Sequence, residues 1–350
     1  MADKVSIYDI ARMAGVSATT VYKVVHGKKG VGDQMRRKIL AIIKSNGYKS
    51  NIVAQTLARK TIKIGIVIEH YTSEFSGEVY TGIKDKFREL ADFNIEPIFN
   101  SMVGSFSKER ILGELSQMLV DGASGVILVP YVPYEEYHEI IGQLTGNNVP
   151  VIVATNDIHG SSRLAVVSHD YRLVGELGAE LIEIFSPGGS YALFIGNKDV
   201  IGHQNLIGGF TERLARSGSK PIAVFETQDD ETVSYHLAEK LLRDHPDVNG
   251  IFIGTSHSLG VCQRIMEAGR IGDIALVCVD TYKELIDLLQ KGIIKATIFQ
   301  NPYLQGKLAV EKMVDYLLTY QKPGDSILIN PRIVLQSNSA DYMDEKKETI

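Results

Sequence analysis

The sequence predicts an N-terminal all-α helix-turn-helix domain with a short hinge helix, followed by an α/β body of two doubly wound lobes. Three observations carry this. Residues 1–60 hold 12 Lys/Arg against three acids, net +9, whereas the remaining chain holds 25 bases against 39 acids, net −14. Within the basic segment apolar residues recur at helical spacing, punctuated by glycines. From Lys63 onward, short β-branched runs alternate with amphipathic stretches, the pattern of parallel sheets with right-handed crossovers. At 350 residues the chain exceeds what a single core fills. The expected units are a head over 1–49, a hinge helix over 50–61, a body over 62–340 and a charged tail over 341–350.

The head opens with Ser6 and, three residues on, Asp9, a capping-box spacing. Ile7, Ile10, Ala11 and Ala14 share one face, and Gly15 stops the helix. Ser17 then caps a second helix whose inward stripe is Val21, Val24 and Val25, closed by Gly27. A third runs from about Asp33, with Met35, Ile39, Ile42 and Ile43 inward, to Gly47. Two helices joined through a glycine turn, with a third behind, make a helix-turn-helix unit. Its second helix presents Ala18, Thr19, Tyr22, Lys23 and His26 outward, with Ser17 and Thr20 at its N-terminal end. These side chains are small, polar or cationic, and suit the floor of a DNA major groove. Arg36, Arg37, Lys38 and Lys44 are placed for phosphates. The net charge of −5 taken alone argues against nucleic acid, but a basic head on an acidic body points to a polyanionic partner for the head.

After the third helix, Asn51 can cap a helix of barely two turns, with Val53, Ala54 and Leu57 on one side. So short a helix is marginal alone and is expected to fold against a partner.

"IYDIARMAGVSATTVYKVVHG" and "NGYKSNIVAQTLARKTIKIGIVI" together resemble the head and hinge of the LacI family of bacterial transcription regulators. The resemblance implies that helix two reads the major groove of an operator half-site, with Ala18, Thr19 and Lys23 at the base-reading positions. "VAQTLA" matches the family's hinge helix, and Leu57 stands where a leucine wedges into the minor groove. A palindromic operator and a homodimer follow from the same resemblance. The tail lacks the leucine heptads of the family's tetramers.

In the body, "KIGIVI", "IEPIFN", "GVILV" and "VIVAT" precede or follow helices near 78–91, 107–121 and 134–145. A second series starts at "LAVVS" and runs through helices near 171–185, 206–217, 231–243, 258–268 and 283–291 to a long one over 303–320. Ligands in such sheets sit at the carboxyl ends of strands. There stand Tyr71 and Phe75, Tyr131, and Thr155 in the first series, then Asn205, His257, Asp280 and Gln300 in the second. The set is polar and aromatic, suited to a polyol. The resemblance extends over this body to about residue 336. It implies the periplasmic sugar-binding-protein fold, with Asp280 in "VCVD" as a ligand-binding aspartate and Gln300 in a late crossover motif. Two positions depart from the family: Leu206 stands at the sugar-clamping arginine, and Gly254-Thr255 replace an Asn-Asp pair. The site is therefore expected to be rebuilt for a neutral or cationic polyhydroxylated effector, with room where the guanidinium is lost and Lys198 as its partial replacement.

No signal segment or membrane-spanning stretch is apparent, and the two cysteines lie in apolar runs, which suits a reducing cytoplasm. The sequence has no G-x-S-x-G elbow, Walker loop, H-E-x-x-H or Cys-x-x-Cys, so neither enzyme chemistry, a metal nor a cofactor is expected. A sugar-processing enzyme or a ligand-binding protein without DNA function is the competing reading.

Overall fold

The computed structural model describes residues 7–25, 30–45, 61–71, 74–99, 104–105, 107–132 and 134–342. The head holds α1 (Ile7–Ala14), α2 (Ala18–Val25) and α3 (Asp33–Ser45). Ile10, Ala11, Ala14, Val21, Val24 and Ile39 make its core, with Val16, Met35, Ile42 and Ile43 packed against it. Gly15 takes φ +72 at the turn, where a Cβ would be strained. Ser17 Oγ accepts from the Thr20 N–H at 3.2 Å and so caps α2. Lys38 donates to Ala14 O at 3.0 Å, a cation on the C-terminal carbonyls of α1. This lysine therefore braces the head internally as well as adding to its charge.

The body begins with β1 (Ile62–Ile68) and a two-residue β2 (His70–Tyr71), which pairs with β4 (Gly104–Ser105). The first lobe adds α4 (Glu74–Glu89), β3 (Ile95–Phe99), α5 (Lys108–Val120), β5 (Gly125–Val129), α6 (Glu136–Gly146), β6 (Val151–Ala154) and β7 (Ala165–His169). The second lobe holds α7 (Tyr171–Phe185), β8 (Ser190–Ile195), α8 (Ile201–Ala215), β9 (Ala223–Glu226), α9 (Glu231–Asp244) and β10 (Val248–Ile253). It continues through α10 (Leu259–Glu267), β11 (Ala275–Val279), α11 (Lys283–Gln290) and β12 (Ala296–Phe299). The chain then returns: α12 (Pro302–Thr319) and β13 (Ser326–Ile329) join the first lobe, and β14 (Arg332–Val334) the second. The sheets run β13-β7-β6-β5-β1-β3 and β14-β12-β11-β10-β8-β9, with β14 antiparallel to β12. Strands such as "GVILV" are buried along their whole length because helices cover both faces.

Contrary to the expectation from spacing, the "LAVVS" run does not open the second lobe, since β7 pairs with β6 (Ile152↔Ala165) in the first sheet. Its link to β6, residues 155–164, carries no helix, so the alternation of strand and helix breaks at that point. The lobes are joined at three places: after His169, after Phe299, and between Ile329 and Arg332. Tyr342 is buried and meets the Phe299 ring edge-on at 5.1 Å, so second-lobe packing reaches past residue 340.

Two helix pairs touch backbone to backbone. A Cβ on Gly82 of α4 would stand 2.0 Å from Tyr303 O, and one on Gly306 of α12 would stand 2.0 Å from Val79 O. Gly175 of α7 and Gly209 of α8 make the same contact in the second lobe, each Cβ position lying 2.1 Å from a carbonyl oxygen of the facing helix.

Candidate functional site

Between the lobes, at the carboxyl ends of both sets of strands, lies a cleft open to solvent. The first lobe contributes Phe75 and Ser76 from the first turn of α4, Tyr131 after β5, and Thr155 and Asn156 after β6. The second contributes Tyr171, His203, Asp229, the Gly254–His257 loop, Asp280 and Gln300. The two lobes repeat one device at this edge. Thr155 follows β6 with φ +71 and donates its N–H to Val167 O; Asp280 follows β11 with φ +73 and donates to Ile298 O. Ser168 Oγ bonds Thr155 O as Thr297 Oγ1 bonds Asp280 O. A left-handed backbone at a β-branched threonine is strained, and such strain collects where a site must be shaped.

The electrostatics centre on two carboxylates. Asp229, at φ +51, accepts hydrogen bonds from the Tyr131 hydroxyl across the cleft and from Thr255 Oγ1 within its own lobe. His257 Nδ1 lies 3.5 Å from it. Burial pushes the Asp229 carboxyl up, but the donors His257, Thr255 and Tyr131 outweigh it and hold the group well below the usual carboxylate range. For His257, burial opposes the charge, yet the adjacent Asp229 raises its pKa on balance. Asp280 Oδ1 accepts from Gln300 Nε2 at 2.9 Å, and Gln305 Nε2 donates to Gln300 O at 3.0 Å. Gln305 reaches His169 at the first lobe crossing, 3.3 Å from Nδ1. No lysine or arginine lines the cleft among the described residues. Lys198 is held outside it by Glu226 at 2.8 Å, so it does not stand in for a clamping guanidinium.

Burial pushes the His169 imidazole down from 6.5 to about 3, and burial also lowers His203. A base with a depressed folded pKa contributes stability above its unfolded pKa and loses it as pH falls towards the folded one. The His169 contribution is thus lost between about pH 6.5 and 3, whereas that of His257 has the opposite sign. Chemical unfolding at pH 7 and pH 5 should show stability falling on acidification. His169→Gln should flatten that fall by roughly 2 kcal/mol. Equal slopes in the two proteins would contradict the assignment.

Of the residues placed at strand ends, Phe75, Tyr131, Thr155, His257, Asp280 and Gln300 line this one cleft. Asn205 does not: it is exposed on α8 and off the cleft. Because α8 starts at Ile201 rather than near 206, His203 turns inward, and residues two apart on a helix do not share a face. Tyr71 sits in β2, and its side chain lies outside the described residues. Leu206 is buried with Phe210 and Phe252 in the second-lobe core, and a Cβ on Gly254 would meet Leu206 Cδ1 at 2.9 Å. The expected room is therefore partly filled, and Gly254 accommodates the leucine. Asp229 was not anticipated. It follows the strand "AVFE" in "TQDDET", where Asp230 caps α9 and draws the eye from its neighbour.

In the head, Ser17 and Thr20 hydroxyls bond each other at 3.0 Å. Ala18, Thr19 and Tyr22 lie on α2 with side chains outside the described residues, and Lys23 is half-buried. His26, Asn51, Ala54 and Leu57 lie outside the described residues altogether. Among those described, no three His, Cys, Asp or Glu side chains are placed to hold a metal, and no helix is long and apolar enough to cross a membrane.

Residues 6–51 match the family described as bacterial regulatory proteins, lacI family, and residues 64–321 match the periplasmic binding protein domain. Catabolite control protein A of Priestia megaterium is 30% identical over 271 residues, 76% of this chain and 78% of that one. The chain belongs to the LacI family of bacterial regulatory proteins. The Staphylococcus aureus (strain Mu50) catabolite control protein A is 26% identical over 339 residues, spanning 95% of this chain and 96% of the relative. Head and body thus align with LacI-family regulators end to end, and the chain is a DNA-binding transcription regulator. The body also resembles the solved structure of GanP, a glucose-galactose binding protein from Geobacillus stearothermophilus. The match has a TM-score of 0.72 and 23% identity, covering 80% of this chain and 99% of that one. At that identity the likeness speaks for the fold of the body.

Proposed function

We propose that this LacI-family regulator is a cytoplasmic homodimeric repressor, and that a small polyhydroxylated ligand in the interlobe cleft sets its affinity for a palindromic operator. The observation that carries the ligand class is the lining of the cleft: the buried carboxylate of Asp280 and the half-buried one of Asp229, hydroxyl and imidazole groups, and the rings of Phe75, Tyr131 and Tyr171, with no lysine or arginine among the described residues. Carboxylates accept from vicinal hydroxyls or an amine and repel phosphate. The effector is therefore a neutral or cationic polyol, with sugar phosphates disfavoured. The sugar in the name of the GanP structure agrees with this class. Ligand changes the angle between lobes, and with it the spacing of the two hinge segments of the dimer, so binding in the cleft and binding to DNA are linked.

A thermal-shift screen of the full chain against neutral sugars, amino sugars, polyols, nucleosides and sugar phosphates tests the ligand class. Hits among neutral or amino-bearing compounds, each altering operator affinity, are expected. Micromolar binding of a phosphorylated sugar, undiminished in Asp280→Ala, would sink this reading of the cleft.

On the DNA side, Lys23→Ala should relax selectivity at one operator position per half-site, costing about 1–3 kcal/mol there. Competition binding with operators substituted at each position is the measurement. A uniform loss across all sequences with a reduced salt slope would make Lys23 a phosphate contact instead.

A further inference from the structure

Tyr131 belongs to the first lobe and Asp229 to the second, and their hydrogen bond spans the cleft that the effector must enter. Neither end is loosely held. Glu69, buried at the end of β1, accepts from the Tyr131 backbone N–H at 2.7 Å and from the Tyr137 hydroxyl at 2.8 Å, both on Oε2. Asp229 is fixed by Thr255 and by the nearby His257, and by a second intra-lobe contact from its own backbone N–H to Thr227 Oγ1 at 3.3 Å. A phenol is thus aimed, by a buried carboxylate on its own lobe, at a carboxylate on the other. We propose that Tyr131 and Asp229 form a latch holding the ligand-free lobes together, that Glu69 is the residue positioning Tyr131, and that an effector hydroxyl binds by replacing the Tyr131 hydroxyl on Asp229.

The replacement exchanges one O–H donor for another on the same carboxylate, so it changes which lobe is tied without leaving Asp229 unpaired. Burial pushes the Tyr131 phenol far above its ordinary pKa, and Asp229 stays ionised, so the pair keeps its protonation states across neutral pH. Among the described residues, the neighbouring titratable groups are Tyr171, His257, His203 and Asp280 from the second lobe and Glu69 and Tyr134 from the first.

The latch rests on the reading of the cleft as the effector site, yet it is measurable without ligand or DNA. Glu135 of the first lobe and Asp199 of the second are exposed, four residues past Tyr131 and one before the cleft-lining Val200, while the native cysteines, Cys262 and Cys278, are buried. Spin labels on Glu135→Cys and Asp199→Cys in the full chain report the interlobe distance by electron–electron double resonance. Tyr131→Phe removes only the hydroxyl and should move the distribution to longer, broader distances. Asp229→Asn, which keeps the left-handed backbone tolerable, should move it the same way but less. The double variant should go no further than Tyr131→Phe alone, the signature of a coupled pair. Glu69→Ala should reproduce the Tyr131→Phe shift, and Glu69→Gln, retaining an acceptor for the Tyr131 N–H, should restore the native distribution. An unchanged distribution in a folded Tyr131→Phe variant overturns the latch and leaves the effector reading intact. Should Glu69→Ala lower the unfolding temperature without moving the distance, Glu69 is structural and its positioning role fails.

Discussion

Asp280→Ala should abolish the response of the chain to its effector while leaving ligand-free operator binding within about twofold of the native value, because the DNA-reading residues belong to the head and Asp280 acts on them only through bound ligand. Asp280 closes β11 in a left-handed turn, 7% exposed, with Gln300 bonded to one carboxylate oxygen. Gln300 in turn stands at the second lobe crossing, bonded through its carbonyl to Gln305 at the start of α12. One residue thus both lines the cleft and anchors a strand connecting the lobes. Losing charge-assisted hydrogen bonds of about 1.5–3 kcal/mol each weakens ligand by roughly a hundredfold or more. Asp280→Asn separates the two roles: it suits the left-handed backbone and can still accept from Gln300, yet lacks the charge. It should fold like the native chain and bind a cationic ligand poorly. Titrations of the screened ligand into each variant, read by thermal shift and by operator mobility shift, check this. An Asp280→Ala protein that still answers the ligand on DNA would remove Asp280 from the site.

Gly306→Ala should cost about 3 kcal/mol, a fall of roughly 6–12 °C in Tm for a body of this size. In an ordinary helix this change stabilises by up to about 1 kcal/mol, so the sign itself is diagnostic. Here the added methyl would stand 2.0 Å from Val79 O and 3.1 Å from Ile83 N, backbone atoms that yield only if α4 and α12 part. Moving α4 also displaces Phe75 and Ser76 in its first turn, so ligand affinity should fall with stability. Calorimetric unfolding of Gly306→Ala and Gly82→Ala decides it. A raised Tm would show that the helices do not depend on this contact.

What was legible in the sequence, and what was not, follows from burial. Runs such as "GVILV" and "VIVA" are buried at every residue, so their strands could be read directly. The head was legible because Ile10, Ala11 and Ala14 in α1 and Val21 and Val24 in α2 keep helical spacing on either side of the Gly15 turn, and pack together with Ile39 of α3. α4 and α8 begin earlier than their periodicity suggests, because their first turns, "EFSG" and "IGHQ", carry residues turned to the cleft rather than the core. Function breaks the local pattern there. β13 and β14 are four and three residues long and half-exposed, too short for a strand signal, so the return crossings between lobes were invisible. Asp280 could be found from its strand end; Asp229 has the same kind of place but hides beside a helix cap. That the two lie in one cleft is a property of the lobe arrangement, which no local spacing encodes.

If a sequence-reading head is governed by this cleft, DNA selectivity and ligand response must appear in one protein. Selection of duplexes from a random pool by the full chain, followed by equilibrium binding of the winners over a range of salt with and without the screened ligand, tests this most directly. The expected result is enrichment of inverted repeats, affinity falling linearly in log–log with salt, and a further change in affinity when ligand fills the cleft. Binding that enriches no sequence, or that ligand in the cleft leaves untouched, would contradict it.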